Sequence, residues 1–312
     1  MVNEKMRGLG ACRSVIRELF EYGKMRKAEI GAENVFDFSI GNPSVPSPAI
    51  VNETLKKLIE EHDAVSLHGY ISAQGDAGVR QAIANYINAT HNAKADPNLI
   101  YLTVGAAASL TISLSALTEA GDEVILLAPF FPEYRVFVER NGVVAVPVLC
   151  DTKTFQPDLK EIKAAITPKT RAIIVNSPNN PTGAVMTEES IKGLAAILTE
   201  ASEKNGQPIY LIADEPYREL VYGDVRVPYL PNFYKNTLIC YSFSKSLSLP
   251  GERIGYILVN PEADDAVAVY QAVCGAGRAL GFVCAPALFQ YMIPAVIGKT
   301  ADISIYDTNR TL

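Results

Sequence analysis

The stretch YSFSKSLSLPGERIGYI, residues 241–257, groups Ser242, Ser244 and Lys245 and adds Arg253 eight positions after the lysine. A lysine amine in a partly desolvated pocket loses basicity and becomes a nucleophile or a base. The planar fork of an arginine suits a phosphate. Three further loops carry complementary chemistry. In VGAAAS, 104–109, Gly105, Ala106 and Ala107 open a helix with side chains small enough for backbone N–H groups to face an anion. In NSPNNPTG, 176–183, Asn176, Asn179 and Asn180 stand among two prolines, more amide capacity than a turn requires. In ADEPYREL, 213–220, Asp214 ends an apolar run, where a carboxylate needs a cationic partner, and the Tyr217 phenol follows three residues on. Glu215 reads either as a competitor of Asp214 or as an acid complementing a helix N-terminus.

These loops need strands to hold them. Short apolar runs at 100–104, 123–127, 143–148, 172–175, 209–213, 237–241 and 254–259 alternate with amphipathic segments at 106–119, 159–166, 188–200 and 263–273. Nearly all-apolar strands alternating with helices predict an α/β fold, a mostly parallel seven-stranded sheet sandwiched by helices. Its site is expected in the loops at the carboxyl ends of the strands. A helical pattern over 14–30 and a short strand at 35–40 precede the proline-broken GNPSVPSP and read as an N-terminal arm. Residues 282–297 read as helix despite Pro286 and Pro294, and GKTADISIYDTNRTL follows without a closing element. The glycine-rich GAGRALG, 275–281, has the wrong spacing for a dinucleotide loop and follows a helical pattern.

One ligand uses an anion cradle, a carboxylate, an amide, a phenol, a lysine and an arginine together: pyridoxal 5'-phosphate, held as a lysine Schiff base with an aspartate beside its ring nitrogen. With NNPTG, DEPY and S-x-S-K in that order, and an arginine eight residues after the lysine, the chain from about residue 36 onward resembles the class I/II aminotransferases of the aspartate aminotransferase superfamily, the fold type I pyridoxal-phosphate enzymes. The resemblance implies a set of roles. Lys245 is the Schiff-base lysine and proton carrier, Asp214 the partner of the ring nitrogen, and Tyr217 and Asn180 the pair on the phenolate oxygen. Ser242, Ser244, Arg253, Gly105, Ala106 and Ala107 form the phosphate cup. Phe131, in LAPFFPEY, is the aromatic stacked on the cofactor. Tyr70, in LHGYISAQG, reaches the neighbouring subunit's phosphate, which implies a homodimer with shared active sites. Gly41 and Asn180 lie beside the substrate.

The same resemblance divides the chain into an arm and part of a small domain (1–46), a large cofactor-binding domain (47–290) and the start of an interdomain helix and small domain (291–312). No residue matches the arginine with which the family grips the substrate carboxylate, so the chain reads as a truncated form of a longer enzyme or a variant lacking that domain. The implied activity is transfer of an amino group between an L-amino acid and a 2-oxo acid. The alternatives are a carbon–sulfur β-lyase on the same cofactor and a cofactor-binding or dimerising form without turnover.

Composition narrows the partners. Of the 312 residues 48% are apolar and 20% charged, the range of an ordinary globular chain, and the net charge of −6 with no basic block offers nothing to nucleic acid. The five cysteines, Cys12, Cys150, Cys240, Cys274 and Cys284, form no CxxC, and His62, His68 and His91 have no metal-ligand spacing, so neither a disulfide framework nor a metal site is expected. Apolar runs are too short to span a bilayer and the N-terminus lacks a signal-peptide run, which makes a cytoplasmic protein without membrane contact the expectation.

Overall fold

The computed structural model describes residues 1–11 and 15–312; Cys12 and Ser14 lie outside the described residues. The chain divides into two compact units, Met1–Ser44 and Val45–Leu312. The first holds the helices Glu4–Ala11 and Val15–Ile30 and a single 3-10 turn, Ala32–Asn34. The strand predicted at 35–40 does not form: this stretch is irregular, and Asp37 is tied to Lys27 (3.0 Å) and Ser39 (2.6 Å). A strand needs a neighbour for its backbone groups, and no other described residue of this unit is extended into one.

The second unit is built on seven strands: β1 (Ile100–Thr103), β2 (Glu123–Ala128), β3 (Val144–Leu149), β4 (Thr170–Asn176), β5 (Tyr210–Asp214), β6 (Thr237–Ser242) and β7 (Gly255–Val259). Their order is β1-β7-β6-β5-β4-β2-β3, and β7 alone runs antiparallel to its neighbours. Each predicted strand is present within two residues at either end. Pro147 is accommodated because β3 is an edge strand that pairs only with β2.

Residue parity along the strands separates two cores. Ile125, Ile173, Leu211 and Ile239 face the helices Ala49–Glu61, Ala77–His91, Glu188–Asn205 and Ala287–Val296. Leu126, Ile174, Ile212 and Leu238 face the helices Ala106–Leu117, Glu133–Glu139 and Ala266–Ala279. Strands buried on both faces explain the unbroken apolar runs, and each buried Leu or Ile contributes about 2 kcal/mol.

The last predicted helix is shorter than its pattern. It forms only over Ala287–Val296, because Pro286 caps its start and Val283 is left-handed at φ +56°; Pro294 is tolerated inside it. The stretch expected to lack a closing element forms the helix Ser304–Thr311. GAGRALG lies largely inside the helix Ala266–Ala279. Among the described residues no helix is long and apolar enough to cross a membrane.

Candidate functional site

The sheet brings the four loops to one edge. β1, β2, β4, β5 and β6 all end there, and antiparallel β7 begins there, which places Arg253 beside loops that follow the other strands. Register then aligns the polar groups: Asn176 pairs with Asp214, and Asp214 with Cys240, two residues before Ser242. All four have the parity of the face that carries the helix Ala106–Leu117. There a cleft of about 220 Å³ is lined by Ala106, Ala107, Phe131, Tyr134, Asn180, Asp214, Tyr217, Ser242, Ser244, Lys245 and Arg253.

Asp214 is 5% exposed. Its Oδ2 accepts a hydrogen bond from the Tyr134 hydroxyl, and its backbone carbonyl accepts one from Asn176 Nδ2 at 2.8 Å. Its other oxygen, Oδ1, is buried with no partner. Burial pushes the carboxyl from 3.8 up to about 7, the Tyr134 bond opposes that rise and the Glu215 charge adds to it. A buried carboxylate oxygen left unpaired is costly and is suited to a cationic N–H.

Lys245 sits in the short helix Phe243–Ser246, whose start is capped by the Ser242 hydroxyl accepting from Ser244 N at 3.2 Å. Burial first, and the Arg253 charge second, lower the lysine's pKa. The two serine hydroxyls lie 2.6 Å apart. Arg253 has a left-handed φ of +53° and donates from Nη1 to the Pro250 carbonyl at 2.8 Å. Its guanidinium lies against Gly105 so closely that a Cβ there would sit 2.8 Å from Nη2. Gly255 is equally constrained: its Cβ would lie 2.3 Å from the Tyr241 carbonyl oxygen. These contacts gather a cation, two hydroxyls and the unpaired amides at the start of the helix Ala106–Leu117 into one anion cradle.

The remaining predicted residues fall as follows. Asn180 Nδ2 donates to the Tyr217 hydroxyl at 3.4 Å, and Asn180 N donates to Asn176 Oδ1 at 2.6 Å. Phe131 lines the cleft with its ring edge-on to Tyr134, 5.7 Å between centroids. Tyr70 is 92% exposed in the single chain, outside the cleft lining. Gly41 belongs to the first unit. Glu215 faces away from the cleft and forms a buried ion pair with Arg218, 2.8 Å from Nε. Tyr134 was not singled out from the sequence, where a tyrosine after a Pro-Glu pair is indistinguishable from a core aromatic.

The donor set fits pyridoxal phosphate. Asp214 Oδ1 awaits a cation at one side of the cleft, the anion cradle suits a phosphate, and the lysine amine lines the same space. The family described as aminotransferase class I and II matches residues 33–306. The chain belongs to that family. A crystal structure of an aminotransferase from Eubacterium rectale is 56% identical and superposes with a TM-score of 0.97, covering 100% of this chain and 78% of that one. The probable aspartate/prephenate aminotransferase of Aquifex aeolicus is 33% identical over 75% of this chain and 58% of its own length. The aspartate aminotransferase of Pyrococcus horikoshii is 32% identical over 79% of this chain and 59% of its own length. The chain thus spans a little under 60% of the length of these two curated relatives.

Proposed function

We propose that the protein is a pyridoxal-phosphate-dependent aminotransferase that moves an amino group between an L-amino acid and a 2-oxo acid. The observation that carries this reading is the buried, unpaired Asp214 Oδ1 in the cleft that Lys245 also lines. Bound pyridoxal phosphate supplies an aldehyde that condenses with amines and a ring that accepts electrons released at an amino acid's α-carbon.

The chain's own groups supply the rest. Arg253, Ser242, Ser244 and the amides of Ala106 and Ala107 hold the phosphate. Asp214 holds a proton on the ring nitrogen through Oδ1, and Tyr134 keeps Oδ2 occupied so that one oxygen is offered. Tyr217, in contact with Asn180, donates to the ring oxygen. Lys245 Nζ, with its basicity lowered by burial and by Arg253, is the nucleophile and afterwards the carrier of the substrate's α-proton. Phe131 walls the ring. The exposed Tyr70 fits a homodimer in which each subunit completes the other's site. The four described cysteines are free thiols, which fits a cytoplasmic protein.

The relatives' names include aspartate, aspartate/prephenate and aromatic amino acid aminotransferases, so the proposal is made at the level of amino acid and 2-oxo acid. The test loads the chain with pyridoxal phosphate, adds one amino acid without an acceptor and measures 2-oxo acid. Amino transfer gives one equivalent per site, then resumes when a second 2-oxo acid is added. Continuous release of ammonia without an acceptor would instead identify a lyase, and no product from any amino acid would leave only binding.

A further inference from the structure

On the opposite face of the sheet from Asp214, a second, small space of about 20 Å³ is walled by His91, Glu219, Tyr229, Tyr241, Ser246 and Lys299. Its polar groups are mostly paired. Arg218 holds Glu215 and donates also to the carbonyls of Val227 (3.0 Å) and Pro228 (3.2 Å). The Tyr241 hydroxyl donates to Glu219 Oε1 at 3.0 Å and lies 2.9 Å from Ser246 Oγ. Two buried oxygens have no partner: Glu219 Oε2 and Tyr229 Oη. Both belong to residues walling the same space. Burial also raises the pKa of both groups.

We infer that this space is a binding site for one structural water molecule, which accepts from the Tyr229 hydroxyl and donates to Glu219 Oε2. The volume suffices for a single water, and two polar partners suffice to hold one. A proton on Glu219 would leave the Tyr229 hydroxyl unpaired and add a second unpaired donor, so protonation alone does not satisfy the site. With the water in place, a continuous polar strap runs Ser246–Tyr241–Glu219–water–Tyr229. It ties the turn that carries Lys245 to the segment that follows Tyr217, from the side away from the cleft. The inference is independent of the proposed reaction.

The experiment is a crystal structure at a resolution that shows ordered water, joined to amide hydrogen exchange on the wild type, Tyr229→Phe and Tyr241→Phe. Both variants keep their rings, and so the stacking of Tyr229 on His91 and of Tyr241 on Tyr256. The expected map has one water within hydrogen-bonding distance of both oxygens, and exchange over residues 217–220 accelerates several-fold in both variants. A dry space, a space filled by the Lys299 side chain, or faster exchange confined to the neighbourhood of the substituted residue overturns the inference. If either variant fails to fold, the wild-type map alone decides.

Discussion

Asp214→Asn isolates the carboxylate on which the site depends. The carboxyl titrates near 7 in the folded protein against 3.8 for a free aspartate, because burial penalises its charged form. That gap corresponds to about 4 kcal/mol at roughly 1.4 kcal/mol per pH unit. The sign follows from which state ionises first. Well below pH 3.8 the group is protonated whether the chain is folded or not, and it contributes nothing. Between about pH 4 and 7 the unfolded chain gives up the proton while the folded one keeps it, so stability falls as pH rises. Above 7 both states are ionised and the loss is complete. Asparagine has the same size, accepts from Tyr134 and does not titrate. Without added cofactor, urea unfolding of the two proteins across pH 4 to 8 should show equal stability at the acid end and an advantage for the variant that grows to about 4 kcal/mol and then levels off. Other titrating groups cancel in the difference. Saturating pyridoxal phosphate should reverse the order at pH 8, since the carboxylate then has its cation. A difference that stays flat across this range would refute the assignment of a buried, cation-seeking acid to position 214.

Lys245→Ala should leave the fold intact and abolish the absorption band that pyridoxal phosphate develops on joining a lysine; an unchanged spectrum would place the attachment elsewhere. Arg253→Ala should weaken cofactor affinity by about ten- to a hundredfold, the worth of a charge-assisted hydrogen bond, as measured by fluorescence titration. Tyr134→Phe removes the bond that opposes the rise in Asp214, so the carboxyl should titrate still higher and cofactor affinity should fall by about tenfold; unchanged affinity would mean that the hydroxyl does not matter. Gly255→Ala places a methyl group 2.3 Å from the Tyr241 carbonyl and 3.3 Å from Ser242 Cα and should cost about 3 kcal/mol or more in thermal unfolding, because both are backbone atoms held in β6.

Most of the second unit is legible along the chain because its strands are short, apolar and buried on both faces, so each run announces itself locally. The same holds for Asp214, Asn180, Ser242 and Lys245, which stand at or just beyond strand ends in loops whose polarity the turn does not explain. The helices Ala49–Glu61 and Ala77–His91 and the short Glu133–Glu139 were not read from the pattern, and the arm's apparent strand at 35–40 had no partner to pair with.

The sequence by itself determined which residue types could do the chemistry and which end of each strand would hold them, since both follow from neighbours a few positions apart. The tertiary structure alone decided which groups meet. The Tyr134–Asp214 hydrogen bond spans 80 positions and the Ser113–Cys240 contact beneath it 127. Arg253 reaches Gly105 only because β7 enters the sheet between β1 and β6 with its direction reversed. The Glu219–Tyr241 pair is buried on the far face because residue parity turns odd-numbered strand residues away from the cleft. Such contacts depend on strand order and register, which are set by the packing of the whole sheet and leave no mark in any one stretch of chain.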